Sequence, residues 1–418
     1  MAKQRGKGGT ARGRTRQPDP HGQQDPPLPE PEWVDEILPR HLERGLLSII
    51  VFGPGVGESV VVCLPNGSVG VVDGCREPAS TGANGDGDPV RELLRHLQVE
   101  TLRFVCLTHP HDDHYRGLGR LLDAYGERVE EVWCPLETGD RYAATLVKYI
   151  ACQRAGQGLI PDDDPKALDR AFRAMQPRRG ASIPRPRLVL ENTELLRQTM
   201  NNGFLTIRGI GPSATDLKMA NVALVKAIKE SSGTHDPNDA SGALLIRWHK
   251  AQVLLAGDLT RGAGPLRGWN GVEAQITGRV QVVNVAHHAS AGAHHDDLWT
   301  RMKPRLAIVT PFKNASGANP PRPADIARLI DSKARVVITA RPSWSWDDPA
   351  VQLPQPRRGP PDVSESPRAP KNGVLSKDAA QTPASPFNAR RNAVAVSLDR
   401  HGTIRRVILS GQADFYSR

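Results

Sequence analysis

Thr108-His109-Pro110-His111-Asp112-Asp113-His114 follows directly on the apolar run 102–107. Three imidazoles and an acidic pair crowd into six residues, and neutral imidazole with carboxylate is the donor set that borderline divalent metals such as zinc take. A turn leaving a strand can aim His109 and His111 at one ion, while Asp113 and His114, at the start of the next helix, face a neighbouring one. Two adjacent metal positions follow from the spacing alone.

The pattern on either side of this turn is that of strands alternating with helices. Upstream, 46–52, 59–64 and 69–73 read as buried strands, the last two joined by the Pro65-Asn66-Gly67-Ser68 turn. Val90, Leu93, Leu94 and Leu97 recur at helical spacing, and Leu118, Leu121, Leu122 and Tyr125 repeat that stripe just after the His-rich turn. Strand, ligand turn, helix is the context that a metal loop needs. Downstream, strands are expected at 129–134, 204–212, 243–248, 253–258, 282–286, 306–311 and 336–339, with a helix face at Ile326, Leu329 and Ile330. A final hairpin is expected from 392–398 and 404–409. Between these lies an excursion, 139–187, with helices at about 141–154 and up to Met175 and the basic residues Arg178, Arg179, Arg185 and Arg187 at its end. It reads equally as a lid over the site or as a solvated surface segment.

The motif His109-x-His111-x-Asp113-His114 after an apolar strand resembles the signature of the metallo-β-lactamase superfamily, whose members are mostly dinuclear hydrolases. Gly53-Pro54-Gly55-Val56-Gly57-Glu58-Ser59, Asp73 at a strand end, Asn238-Asp239-Ala240-Ser241, Gly257-Asp258 and His287-His288-Ala289-Ser290 are similar, in order, to motifs of one branch. That branch holds the hydrolase domain of bacterial DNA-uptake (competence) channel proteins and the phosphorylcholine esterases. The resemblance implies a four-layer αββα sandwich with the site at one end between the sheets. It implies His109, His111, Asp113, His114, Asp258 and His287 as metal ligands, with Asp258 bridging. Asp113 and His288 take catalytic roles: Asp113, or the bridging Asp258, accepts the water proton, and His288 orients substrate or steadies a developing oxyanion. Spacing leaves the choice of ligand between His287 and His288 open, and Ala289 stands where the motif has Gly. Asp73 would orient the histidines from behind. The further His that many superfamily lactamases and thioesterases carry on the first metal has no clear counterpart in the interval 210–238, where His235 is the lone histidine. His294 and His295, at a helix start beside Asp296 and Asp297, read as surface residues.

The rest of the chain sets bounds. Net charge is +10, but Lys3, Arg5, Lys7, Arg12, Arg14 and Arg16 precede the first acidic residue and leave about +4 for everything else. Residues 1–31 are too poor in apolar side chains to fold alone, and read either as a phosphate-binding arm or as a solubilising leader. The hydrolase domain is expected over 32–345, a Pro/Arg/Ser-rich disordered loop over 346–390, and 391–418 as a hairpin returning to the same domain. That loop is also a place for a protein partner. Five cysteines, mostly in apolar runs, read as buried thiols in a reducing, cytoplasmic setting, and no stretch has the roughly 18 apolar residues of a membrane span.

The expectation is therefore a metal-dependent hydrolase with two divalent ions, zinc first and manganese as the alternative. Water activated between the ions would attack the substrate without a protein nucleophile. A phosphodiester in nucleic acid or a nucleotide is the first substrate class. The alternatives are a carbonyl ester, lactone, thioester or lactam, or a partner-dependent subunit of a multi-gene, defence-type system.

Overall fold

The computed structural model of the chain describes residues 26–37, 39–53, 57–75, 88–135, 165–175, 186–200, 203–230, 236–262, 264, 267–312, 320–340, 342 and 392–416. Its strands are β1 (Glu32–Val34), β2 (Leu47–Phe52), β3 (Ser59–Cys63), β4 (Val69–Val72), β5 (Phe104–Cys106), β6 (Val132–Cys134), β7 (Arg187–Leu188), β8 (Thr193–Met200), β9 (Gly203–Gly211), β10 (Ala243–Trp248), β11 (Ala251–Leu255), β12 (Val282–Asn284), β13 (Leu306–Val309), β14 (Arg335–Ile338), β15 (Ala393–Leu398), β16 (Ile404–Ser410) and β17 (Asp414–Tyr416). The helices are α1 (Pro89–His96), α2 (Asp112–Tyr115), α3 (Leu118–Tyr125), α4 (Pro165–Met175), α5 (Ala214–Glu230), α6 (Gly268–Val272), α7 (Asp296–Met302) and α8 (Pro323–Asp331).

These strands make two mixed sheets, in the orders β1-β16-β15-β2-β3-β4-β5-β6-β7 and β17-β14-β13-β12-β11-β10-β9-β8. Three apolar clusters define the layering. One lies between the sheets: Leu47, Ile49 and Val51 of β2 meet Ile207, Leu244, Ile246, Val253 and Ile308 of the other sheet. The alternate residues Ile50 and Phe52 point to the outer face of the first sheet, where α1, α3 and α4 contribute Leu93, Leu94, Leu121, Leu122 and Phe172. The outer face of the second sheet is closed by Trp269, Leu298, Ile326 and Leu329 from α6, α7 and α8. Helix, sheet, sheet, helix is the four-layer αββα sandwich expected from the sequence. Because both faces of each sheet are covered, the strands read as near-continuous apolar runs rather than alternating ones.

The differences lie in short or two-faced elements. β1 and β17 have three residues each, too few to show a period, and are defined by pairing with β16 and β14. β8 was also not foreseen, its exposure alternating unevenly across a partly solvated edge. α5 occupies an interval in which no element was expected. It buries Ala220, Leu224 and Ala227 yet leaves Met219, Val222 and Val225 exposed, so its sequence carries no clean apolar stripe. The 102–107 strand is trimmed to β5, with Leu102 only bridging to Val129.

Of the expected excursion, 139–164 and 176–185 lie outside the described residues, as do the basic residues Arg178, Arg179 and Arg185, the loop 346–390 and His235. Cys63, Cys75, Cys106 and Cys134 are free thiols, and burial pushes the Cys63 thiol up to about 12. No helix among the described residues is long and apolar enough to cross a membrane.

Candidate metal centre

β4–β5–β6–β7 and β11–β12–β13–β14 are parallel runs, one in each sheet, and their carboxyl ends open to the same end of the sandwich. The loops leaving those ends carry the candidate site side chains, at the place where open α/β sheets usually bind ligands. Asp73 leaves β4, His109 to His114 leave β5 and begin α2, Asp258 follows β11, and His287 and His288 follow β12. The turn before Asp258 needs a glycine: Gly257 has φ +50°, and a Cβ there would press on the Gly242 carbonyl and the Ser241 hydroxyl.

Asp113, His114, Asp258 and His288 bring one ligand atom each to within 4.8 Å of one another, and His109, His111 and Asp258 do the same beside them. Asp258 is common to both groups. His114 Nε2 stands 3.4 Å from Asp258 Oδ1, His109 Nε2 stands 3.6 Å from Asp258 Oδ2, and His111 Nδ1 stands 3.1 Å from Asp113 Oδ1.

The hydrogen bonds behind these atoms fix which ring nitrogen is available. Asp73 accepts from the Thr108 amide at 2.7 Å and the Thr108 hydroxyl at 2.6 Å. Being an acceptor, it requires His114 Nδ1, 2.8 Å away, to be the donor. The Thr108 hydroxyl has given its hydrogen to Asp73, so at 3.0 Å it can only accept from His109 Nδ1. His288 Nδ1 lies 2.7 Å from the Thr310 carbonyl oxygen and must also donate. In all three rings the Nε2 atom is thereby left for the carboxylates. Nε2 of His109 and of His114, and both oxygens of Asp258, are buried with no hydrogen-bond partner.

Four carboxyl groups crowd the site, and burial pushes those of Glu58 and Asp73 up. Glu58, Asp73, Asp113 and Asp258 are all buried, and among the described residues no Lys or Arg is paired with any of them. Burial works against charge on Asp113 and Asp258, but His114, with His111 beside the first and His287 beside the second, outweighs it and holds both carboxyls well below the usual range. The same field acts on the rings: burial disfavours their charge, yet Asp113, Asp258 and Asp73 raise His114 well above its ordinary value, and Asp258 and Asp113 raise His288. His109, by contrast, is pushed well down by burial, with His114 adding to the effect. A buried carboxylate set facing imidazoles needs positive charge to offset its desolvation. Oriented, unpartnered nitrogen and oxygen donors without thiolate fit a divalent ion at each of the two groups.

One residue changes place relative to the sequence expectation. His288, rather than His287, stands with the second group: its Nε2 is 2.8 Å from Asp113 Oδ2. His287 Nε2 is 3.9 Å from Asp258 and 3.2 Å from the Asn238 amide nitrogen, and its Nδ1 is 3.0 Å from the Ser290 hydroxyl. With both ring nitrogens engaged and 28% of its side chain exposed, His287 forms the rim of the site. The physical reason is a run of three left-handed residues, His287, His288 and Ala289 at φ 47°, 54° and 60°, which turns His288 inward and His287 outward. Spacing cannot reveal such a turn.

His294 and His295 also differ from expectation, since neither is a surface residue. His295 is buried and caps α7, its Nδ1 accepting from the Leu298 amide at 3.2 Å, while Nε2 reaches Asn270 at 3.0 Å. His294 stacks on Trp299 with centroids 5.0 Å apart. Sequence reading assigned no role to Thr108, Asn284 or Thr310. Each is a buried polar residue at the carboxyl end of an apolar strand, and that position was the available signal.

Residues 77–133 match the family model of the metallo-beta-lactamase superfamily. The superfamily is one of metal-dependent hydrolases, and with the two ligand groups above the chain is an enzyme of that class. No curated relative matches. Among solved structures, the chain is similar to the metallo-beta-lactamase fold protein YhfI from Bacillus subtilis, with 11% identity, 63% of this chain and 86% of that one covered, and a TM-score of 0.32. It is also similar to unliganded yeast PDE1, with 12% identity, coverage of 70% and 97%, and a TM-score of 0.38. A third is the long form of RNase Z from yeast, with 12% identity, coverage of 67% and 39%, and a TM-score of 0.33. Likenesses this distant carry no argument about the substrate.

Proposed function

We propose that the chain hydrolyses phosphodiesters at a dinuclear metal centre. His109, His111 and Asp258 would hold the first ion, and Asp113, His114, His288 and the shared Asp258 the second, zinc being the first choice and manganese the alternative. The observation that carries the reading is the orientation of His109, His114 and His288, each with Nδ1 committed as a donor and Nε2 turned to the buried carboxylates. When bound, the ions supply Lewis acidity and lower the pKa of water toward neutrality. The chain's own residues do the rest. Asp113 and Asp258, held ionised, can take up a proton at their carboxylate oxygens. Asp73 and Thr108 keep His114 and His109 from turning. His287, at the rim with the Asn238 amide on one nitrogen and Ser290 on the other, is placed to meet the group that the substrate presents. The phosphodiester class is favoured by the motif resemblance to the DNA-uptake and phosphorylcholine esterase branch and by the six basic residues that open the chain.

The test is metal analysis of the purified protein together with hydrolysis of bis-p-nitrophenyl phosphate and single-stranded DNA with added zinc or manganese. Two ions per chain and activity lost in Asp113→Ala and Asp258→Ala are the expected result. Two ions without phosphodiesterase activity would move the substrate to carbonyl esters or to a reaction that needs a partner. Absence of bound metal would overturn the centre itself. Because ligands must lose protons to bind, zinc uptake should release protons and weaken as the pH falls.

A further inference from the structure

Glu58 is a buried carboxylate that none of the chemistry above uses. It lies just before β3, in the loop that bears Gly57, and it bridges the two sheets beneath the site. Its Oε1 accepts from the Asn284 amide at 3.1 Å at the end of β12, and its Oε2 accepts from the Thr310 hydroxyl at 2.8 Å just beyond β13. Its backbone amide donates to the Asp113 carbonyl at 3.2 Å. Thr310 in turn accepts from His288 Nδ1 through its carbonyl at 2.7 Å, and its hydroxyl oxygen lies 3.1 Å from the same nitrogen. A hydroxyl has one hydrogen. Since Thr310 gives it to Glu58, the oxygen can turn only a lone pair to His288.

Resting on the metal-centre reading above, we propose that Glu58 is a positioning residue for His288. Acting through Thr310, it fixes the imidazole with Nε2 toward Asp113 and Asp258, sets a carboxylate behind the ring, and so tightens the second metal position while leaving the first alone. The geometry is a carboxylate–hydroxyl–histidine relay, an extended form of the outer-shell support that commonly backs metal-bound histidines. The reach is selective, for His109 and His111 are backed by Thr108, Ser241 and Asp113 instead.

Glu58→Gln removes the charge with little change of shape. The glutamine oxygen can accept from Thr310, and its amide can donate to Asn284 Oδ1, an atom buried without a partner, once that side chain turns over. The measurement is zinc titration calorimetry on the full chain, resolving two binding steps, with thermal unfolding alongside. In Glu58→Gln the second step should weaken about 10-fold or more, with the first step within 2-fold and the apo melting temperature close to wild type. Thr310→Val should weaken the same step, and Thr310→Ser, which keeps the hydroxyl, should restore it. In ¹⁵N-resolved spectra, the His288 ring of the apo protein should move in Glu58→Gln while that of His109 does not. Two wild-type zinc affinities in Glu58→Gln would overturn the proposal and leave the metal centre standing. Equal loss of both affinities together with a lower melting temperature would also overturn it, marking Glu58 as a structural tie. A wild-type chain that binds no second zinc would show instead that the metal-centre reading had failed.

Discussion

At Asp73 three donors converge on one carboxylate: the Thr108 amide, the Thr108 hydroxyl and His114 Nδ1. An amide in its place would present a donor to one of them, so Asp73→Asn is expected to cost about 10- to 100-fold in zinc affinity without touching a ligand. Zinc titration checks it directly. His287 and His288 give a sharper contrast. His288→Ala should bind one zinc per chain, whereas His287→Ala should keep both and lose turnover instead, which metal analysis and a kinetic assay of the two variants distinguish. The candidate ligands His109, His111, Asp113 and His114 and the shared Asp258, which the fold brings together, were legible in the sequence because a dense His/Asp turn and a Gly-Asp strand end are local patterns. The exchange of His287 for His288 was not, because it depends on a left-handed turn held by Gly257, Ser290 and Thr310.

At the level of the elements, helix α2, which carries Asp113 and His114, has four residues and cannot hold its own position. It is braced by the loop before β3. Gly57 has φ +113°, and a Cβ there would collide with the Asp113 carbonyl oxygen and backbone. Gly57→Ala should cost about 1–3 kcal/mol in backbone strain and lower the metal content in step, as read from denaturant midpoints and metal analysis. The start of α7 is a second case. Burial holds His294 down to about 4, Asp296 opposing and Arg328 reinforcing the shift. The unfolded chain takes a proton near the ordinary 6.5, so the neutral ring stabilises the fold fully above about 6.5. That contribution is lost as the pH falls from there toward 4. In His294→Gln the drop in melting temperature between pH 7 and pH 4.5 should be smaller than in wild type. Helix spacing placed α1 and α3 in the sequence, whereas α5 escaped because it is apolar on both its buried and its exposed sides.

For the whole molecule, stability depends on strands far apart in the chain. β15 lies between β2 and β16, and β17 pairs with β14 in the opposite sheet. Val394, Val396, Leu398, Ile404, Val407, Leu409 and Phe415 all enter the core between the sheets. At roughly 1.5–3 kcal/mol for each fully buried apolar side chain, their loss matches the whole of a typical domain's 5–15 kcal/mol. A chain ended at residue 391 should therefore fail to give a cooperative unfolding transition, by circular dichroism or calorimetry. In the same core Phe104 and Trp133 stack with centroids 4.1 Å apart beneath the ligand turn, and Trp133→Ala should cost about 3–5 kcal/mol.

Consecutive residues carry the alternation of strands and helices, the His/Asp turn and the Gly257-Asp258 strand end, and the motif resemblance built on them implied the αββα class, because such patterns are local. Tertiary structure alone decided three things: that His288 rather than His287 faces the carboxylates, that Glu58 reaches His288 through Thr310, and that β15, β16 and β17 divide between the two sheets. Each joins residues from well-separated parts of the chain, and a hydrogen bond or strand pairing across that distance is set by how the layers close on one another, which no local pattern records.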